Sequence, residues 1–238
     1  MVSEMIDGTF RQTNLTNESS QYLAKREELR LAEVALMQQR ERVAELRRSL
    51  PQGAPLKDYV FLEGPADLDA GDTPVETVRL SELFTAPRRA LVIHQMMFGK
   101  KNTSPCPMCT MWLDGWNAVV PHLAESVDIA VVAAAEPAAL RAFARARGWR
   151  NLRLLSAGEG TFKYDLGSED AEGAQDSTVS VFTKDDDGTV RHFYSSHPMM
   201  APDIYERGMD LLTPVYNTLD LTPQGRGSFY GSLVYPSS

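Results

Sequence analysis

From Ser20 onward apolar residues return at every seventh position, with Tyr22, Leu29, Leu36, Val43 and Leu50 in one row. A second row holds Ala32 and Leu46 and is interrupted by Lys25 and Gln39. The spacing predicts a long helix, capped by Ser19 or Ser20 and stopped by Pro51 and Gly53. Its opposite face carries Arg26, Glu27, Arg30, Glu33, Glu41, Arg42, Glu45 and Arg48, with opposite charges three apart at Glu27–Arg30 and Arg42–Glu45. The apolar row must cover something. Either it packs across its own domain, or helix 19–50 makes a homodimer, because the repeat is sustained for several heptads.

Beyond this helix the period changes. Residues 90–98 and Val127–Ala133 are nearly continuous apolar runs, the pattern of strands covered on both faces. Between them, 107–123 reads as a helix. Pro137 opens another helix through Arg147, closed by Gly148. Leu152–Leu155 is a short strand, and 179–183 and 190–194 flank Asp185-Asp186-Asp187-Gly188 as a hairpin. Residues 201–221 are helical, with a break at Thr213-Pro214.

The Pro-, Gly- and Asp-rich stretch 51–88 reads as a connector with one short strand at 58–62, and 78–84 as the approach to the first central strand. The order βαβα, then a strand, a hairpin and a helix, implies an α/β class. The expected fold is a thioredoxin-like three-layer sandwich, a central mixed sheet with helices on both faces, plus a long N-terminal helix. The expected divisions are a polar tail at 1–18 that orders only by docking, a helix and connector at 19–88, a thioredoxin-like domain at 89–226 and a C-terminal tail at 227–238.

Composition narrows the function. The 238 residues suffice for a full core, 43% are hydrophobic, and the net charge is −8. That charge leaves no basic footprint, so nucleic acid is not an expected partner. No apolar run approaches a membrane span, and the N-terminus lacks a basic region followed by an apolar core. A cytoplasmic location without membrane contact is therefore expected.

The chemistry lies in Cys106-Pro107-Met108-Cys109, whose cysteines are the only two in the chain. The pair follows a strand and opens a helix. There, unpaired amides and the positive end of the helix dipole favour thiolate over thiol, and a second sulfur lies one turn away. Cys106 is the expected nucleophile and Cys109 the resolving thiol. Pro107 suits the first helical turn, where an N–H would lack a partner. The loop lysines Lys100 and Lys101 either add positive charge or are merely solvated. Trp112 and Trp116 share a helix face and most simply pack inward, while Asp114 points elsewhere.

A metal is the rival chemistry, since C-x-x-C is also a half-site. Two cysteines cannot complete a four-thiolate zinc site, so histidines would be needed. His94 falls in a buried strand as a core residue, and His122 suits the carbonyl end of its helix. His192 and His197 remain, giving Cys106, Cys109, His192 and His197 as the alternative copper or zinc set, with Met199 and Met200 nearby as soft donors. A third reading is a non-catalytic thioredoxin-like interaction protein that dimerises through the long helix.

Distributed residues carry a resemblance. They include Lys25–Leu29, Arg47–Pro51, His94 with Met97–Gly99, Cys106–Asp114, Val120–Leu123, Gly148-Trp149, Phe162–Gly167, Arg207–Leu212, Tyr216, Leu219–Pro223 and Gly225-Arg226. From about Tyr22 to Arg226 the chain resembles a bacterial family of thioredoxin-like proteins of uncharacterised function, described as predicted dithiol–disulfide oxidoreductases. The resemblance implies a thioredoxin fold; the dithiol itself implies exchange with a protein or small-molecule disulfide or thiol, with no bound cofactor required. Two departures stand out. Thioredoxins place a cis-proline before the hairpin, facing the thiols; no proline occurs between Gly167 and His197, so Thr178 or a neighbour takes that position. Peroxiredoxins place Thr three residues and Pro seven residues before the peroxidatic Cys; Thr103 fits the first and Gly99 stands at the second, so a peroxidase activity is the weaker reading.

Overall fold

A computed structural model describes residue 13, residues 15–204 and 207–235, and the backbone of two short strands at 5–6 and 9–10. Half of the 1–18 tail thus lies outside the described residues. The chain divides into two compact units, Met1–Pro51 and Gln52–Ser238.

In the first unit, β1 (Met5–Ile6) pairs antiparallel with β2 (Thr9–Phe10), and α1 runs Ser20–Arg48. Ser19 is its N-cap: the hydroxyl accepts from the Tyr22 N–H at 3.1 Å. Arg47 and Arg48 sit in the last turn, where they favourably meet the carbonyl end. Glu27 and Arg30 form the expected pair at 2.6 Å, and Arg26 reaches Glu33 at 3.1 Å. Arg42 turns instead to the Gln39 side-chain oxygen. No residue of α1 is buried, and Tyr22, Leu29 and Leu36 are all exposed.

The second unit is built on one sheet of seven strands. These are β3 (Val60–Glu63), β4 (Glu76–Arg79), β5 (Ala90–Gln95), β6 (Val127–Ala133), β7 (Arg153–Ser156), β8 (Thr178–Lys184) and β9 (Val190–Ser196). The order across the sheet is β4-β3-β7-β6-β5-β8-β9. β5, β6 and β7 are parallel, and the other neighbours are antiparallel. The helices are α2 (Pro107–Leu123), α3 (Pro137–Arg147), the single turn α4 (Phe162–Asp165) and α5 (Pro214–Leu219).

Alternation along the strands sorts two cores. Leu91 and Ile93 of β5, with Ala130 and Val132 of β6, face a core completed by Phe61, Leu80, Leu83, Phe162 and Phe182. Met96, Val131 and Ala133 face the opposite core with Trp112, Leu113, Trp116, Leu140, Trp149 and Tyr216. The crossover helices of β5-α2-β6 and β6-α3-β7 both pack on that second face. The arrangement is the expected thioredoxin-like α/β sandwich with a long N-terminal helix.

Punctuation acts where expected. Gly148 closes α3 at φ 71°, Gly188 turns the hairpin at φ 89°, and Thr213 caps α5 by accepting from the Val215 N–H. The 51–88 segment does more than connect. Its strands β3 and β4 form a hairpin that extends the sheet, with β3 joined to β7 at Leu62–Ser156. Residues 229–235 lie along α2. The Gly231 N–H points to the Met108 sulfur at 3.1 Å, and the Tyr235 hydroxyl donates to Asp114 at 2.9 Å. A Cβ at Gly231 would fall 2.9 Å from the Pro107 carbonyl oxygen, so the close approach requires glycine.

Candidate functional site

The site begins where β5 ends. Met96 N–H donates to the Val132 carbonyl, and Ala134 N–H donates to the Phe98 carbonyl, so the chain leaving β5 stays stitched to β6. Gly99 and Asn102 exchange two backbone hydrogen bonds around a tight turn. Gly99 has φ 104°, and a Cβ there would lie 2.1 Å from the Ala135 nitrogen. Only glycine fits there. Cys106 N–H then donates to the Met97 carbonyl at 3.1 Å and delivers the chain into α2.

Cys106 is the N-cap of α2, with Pro107 in the first turn. Its sulfur accepts from the Cys109 N–H at 3.5 Å, taking one of the orphan amides of the helix start. Its carbonyl accepts from both the N–H and the hydroxyl of Thr110. Cys106 is half-buried, Cys109 is fully buried, and no disulfide joins them. The two sulfurs have unequal settings. The Cys109 thiol is pushed well above the ordinary thiol range, chiefly by donating to the Cys106 sulfur, then by burial and by negative charge on Cys106. Backbone at Met97 and the Ser177 hydroxyl pull the other way. That hydroxyl is buried against Cys109 but falls outside regular hydrogen-bond geometry. Cys109 therefore holds its proton near neutral pH.

The chain entering β8 passes beside Cys109. Thr178 is buried and registers with Gln95, while its neighbour Ser177 faces Cys109. Behind them runs a buried polar chain. The Ser168 hydroxyl donates to the Gln95 side-chain oxygen, the Gln95 amide donates to Ser180 at 3.0 Å, and Ser180 meets Ser195 at 2.8 Å. Lys163 is fully buried beside this chain, its ammonium donating to the Met96 carbonyl at 3.2 Å. Sequence reasoning missed Lys163 and Ser177. A lysine inside Phe162–Gly167 reads as surface, although that stretch was among the residues carrying the resemblance.

Other candidates fall elsewhere. Lys100 pairs with Glu169, while Lys101 and Thr103 are exposed. Asp114 faces away from the thiols, toward Arg147, the Trp149 indole and Tyr235. Trp112 is buried near His94, ring centres 6.3 Å apart. His94 is in the core as expected, but among the described residues neither ring nitrogen nor the Trp112 indole finds a hydrogen-bond partner. Burial first, and the charge of Lys163 second, hold the imidazole down to about 3, so it is neutral near pH 7. His192 meets Ser195, and His197 meets Asp176 at 2.7 Å. The structure does not gather Cys106, Cys109, His192 and His197. Among the described residues, no group of three or more His, Cys, Asp or Glu side chains is placed to hold a metal. A cavity of about 750 Å³ opens beside β3, β4 and Arg141, and neither cysteine lines it.

The family model described as "Bacterial protein of unknown function (DUF899)" matches residues 11–235. The chain belongs to the DUF899 family. No curated protein matches it. Among solved structures, the DUF899 chain is similar to reduced Prx3 of Vibrio vulnificus in complex with H2O2, at 19% identity and TM-score 0.45, covering 66% of this chain and 92% of that one. It is also similar to a putative thioredoxin reductase from Burkholderia cenocepacia, at 16% identity and TM-score 0.46, covering 69% and 97%. A third is Mycobacterium tuberculosis AhpC, at 16% identity and TM-score 0.45, covering 72% and 98%. No helix among the described residues of the DUF899 chain is long and apolar enough to cross a membrane.

Proposed function

We propose that this DUF899 chain is a thiol–disulfide oxidoreductase in which Cys106 attacks a disulfide and Cys109 resolves the resulting mixed disulfide. One observation carries the reading. Cys106 caps a helix N-terminus and accepts the Cys109 N–H, while Cys109 lies buried one turn on and keeps its own proton. The half-buried sulfur is the one a substrate can reach, and amide donors favour its anionic form. In the exchange, the Cys106 thiolate bonds to one substrate sulfur and the other leaves as a thiolate. Cys109 then bonds to Cys106 and releases the first sulfur.

The substrate is a disulfide of a protein or small molecule, and a partner dithiol returns the two electrons without a bound cofactor. The setting we propose is the cytoplasm. The exposed row of α1 is our candidate surface for a second copy of the chain. Ser177 and Thr178 replace the proline that thioredoxins present to an extended substrate, which favours compact disulfides over main-chain pairing with a protein strand.

The test is a pair of variants in an insulin- or glutathione-disulfide reduction assay. Cys106→Ser is expected to abolish turnover, and Cys109→Ser to accumulate a mixed disulfide visible by mass spectrometry. Full turnover by Cys106→Ser disposes of the reading.

A further inference from the structure

Lys163 is a fully buried lysine that pairs with no carboxylate among the described residues. Among the described residues, its ammonium makes one hydrogen bond, to the neutral Met96 carbonyl. Sequences rarely retain such a group, because an unpaired buried charge is costly and an apolar side chain would fill the same space. Its setting is specific. The Met96-Met97 stretch that receives the Lys163 ammonium also receives the Cys106 N–H, at the Met97 carbonyl, and its backbone at Met97 acts on the Cys109 sulfur. We propose that Lys163 is the buried counter-charge of the resolving thiol, a positioning residue that makes the Cys109 thiolate attainable once Cys106 is tied up in a mixed disulfide. The inference rests on the exchange reading above and goes beyond it in assigning the second step.

The electrostatics fit. Burial pushes the ammonium down to about 8, and an ionised Cys109 is the first of the groups that pull it back up, followed by Glu169 and Asp176. Lys100 opposes them, and His94 is the further titratable group that feels Lys163. Glu169 is already paired with Lys100, and Asp176 is hydrogen-bonded to His197, which leaves the Cys109 sulfur as the remaining group that raises the ammonium. In the reduced resting state Cys106 carries negative charge and Cys109 donates to it. Formation of the mixed disulfide removes that anion and leaves Cys109 as a buried thiol that must ionise beside Lys163. In the resolving step the Cys109 proton goes to solvent and its sulfur bonds to the Cys106 sulfur. The bond from Cys106 to the substrate sulfur breaks. Its electron pair leaves on the substrate thiolate, which takes a proton from solvent. The two cysteines are oxidised to a disulfide, and the substrate disulfide ends as two thiols.

Dithiobis(nitrobenzoate) reads the two steps separately in the full-length reduced protein. Attack by Cys106 releases one coloured thiolate, and resolution by Cys109 releases a second. In Lys163→Met, with Lys163→Gln as a second neutral replacement, the ratio of second-phase to first-phase rate at pH 7 is expected to fall about tenfold. The pH midpoint of the second phase should rise by about one unit, since each unit is a tenfold change in thiolate. Lys163→Arg, which keeps the charge, is expected to restore the midpoint. An unchanged ratio and midpoint in both neutral variants overturns the proposal. So does a uniform slowing of both phases, which is what a lysine serving only to hold the Met96 loop would produce. A wild-type protein that releases no second thiolate instead sinks the dithiol reading itself, so the two failures are distinguishable.

Discussion

Replacing Lys163 by Met should make the protein more stable at neutral pH, and the size of the gain follows from burial. The amine falls from 10.5 in the unfolded chain to about 8 in the fold, first because its charged form loses water. At about 1.4 kcal/mol per tenfold, keeping the ammonium charged costs the native state about 3 kcal/mol. The sign follows from proton counting. Between pH 8 and 10.5 the unfolded chain binds more protons at this site than the native one, so stability rises with pH across that window. Below pH 8 both states are protonated and the penalty is complete. Urea unfolding of the reduced protein at pH 7, 8, 9 and 10 measures it. Lys163→Met should gain about 3 kcal/mol at pH 7, with the advantage shrinking toward pH 10. Parallel stability curves for the two proteins would refute the reasoning, because they would mean that the lysine carries no burial penalty. A variant that is more stable yet slower in resolution is the pattern expected of a group kept for chemistry.

Gly99→Ala should cost about 1–3 kcal/mol in urea unfolding, because its Cβ would meet the Ala134–Ala135 backbone; a loss below about 0.5 would argue against that packing. Thr213→Ala should cost about 1 kcal/mol through loss of the α5 cap, measured the same way, and an unchanged midpoint would speak against the cap. Leu29→Glu with Leu36→Glu should convert a dimer to a monomer in sedimentation velocity, and a monomeric wild type removes the α1 proposal.

Local rules made much of this fold legible. β6 matches its apolar run residue for residue, and α2 and α3 begin at their prolines, because burial on both faces and helix punctuation are written in short windows. The β3–β4 hairpin was only half visible. Its strands are short, sit among Pro, Gly and Asp, and gain their place by pairing with β7, far along the chain. The cysteines announced themselves through spacing and context. Lys163 and Ser177 did not, since nothing local marks a lysine as buried or a serine as facing a thiol. Both properties arise when α4 and the approach to β8 close over the end of β5. The histidines were misleading in the other direction: four in a short chain invite a metal set, while the fold engages His192 with Ser195 and His197 with Asp176.

The most direct measurement is site-resolved alkylation of the reduced protein with iodoacetamide across pH 5 to 10, read by mass spectrometry of the peptide spanning both cysteines. A helix-capping thiolate at Cys106 and a proton-holding Cys109 predict modification of Cys106 at neutral pH, faster than a free thiol, with Cys109 protected until the protein unfolds. Modification of Cys109 first, or equal and slow modification of both only at alkaline pH, would contradict the assignment of roles on which the account rests.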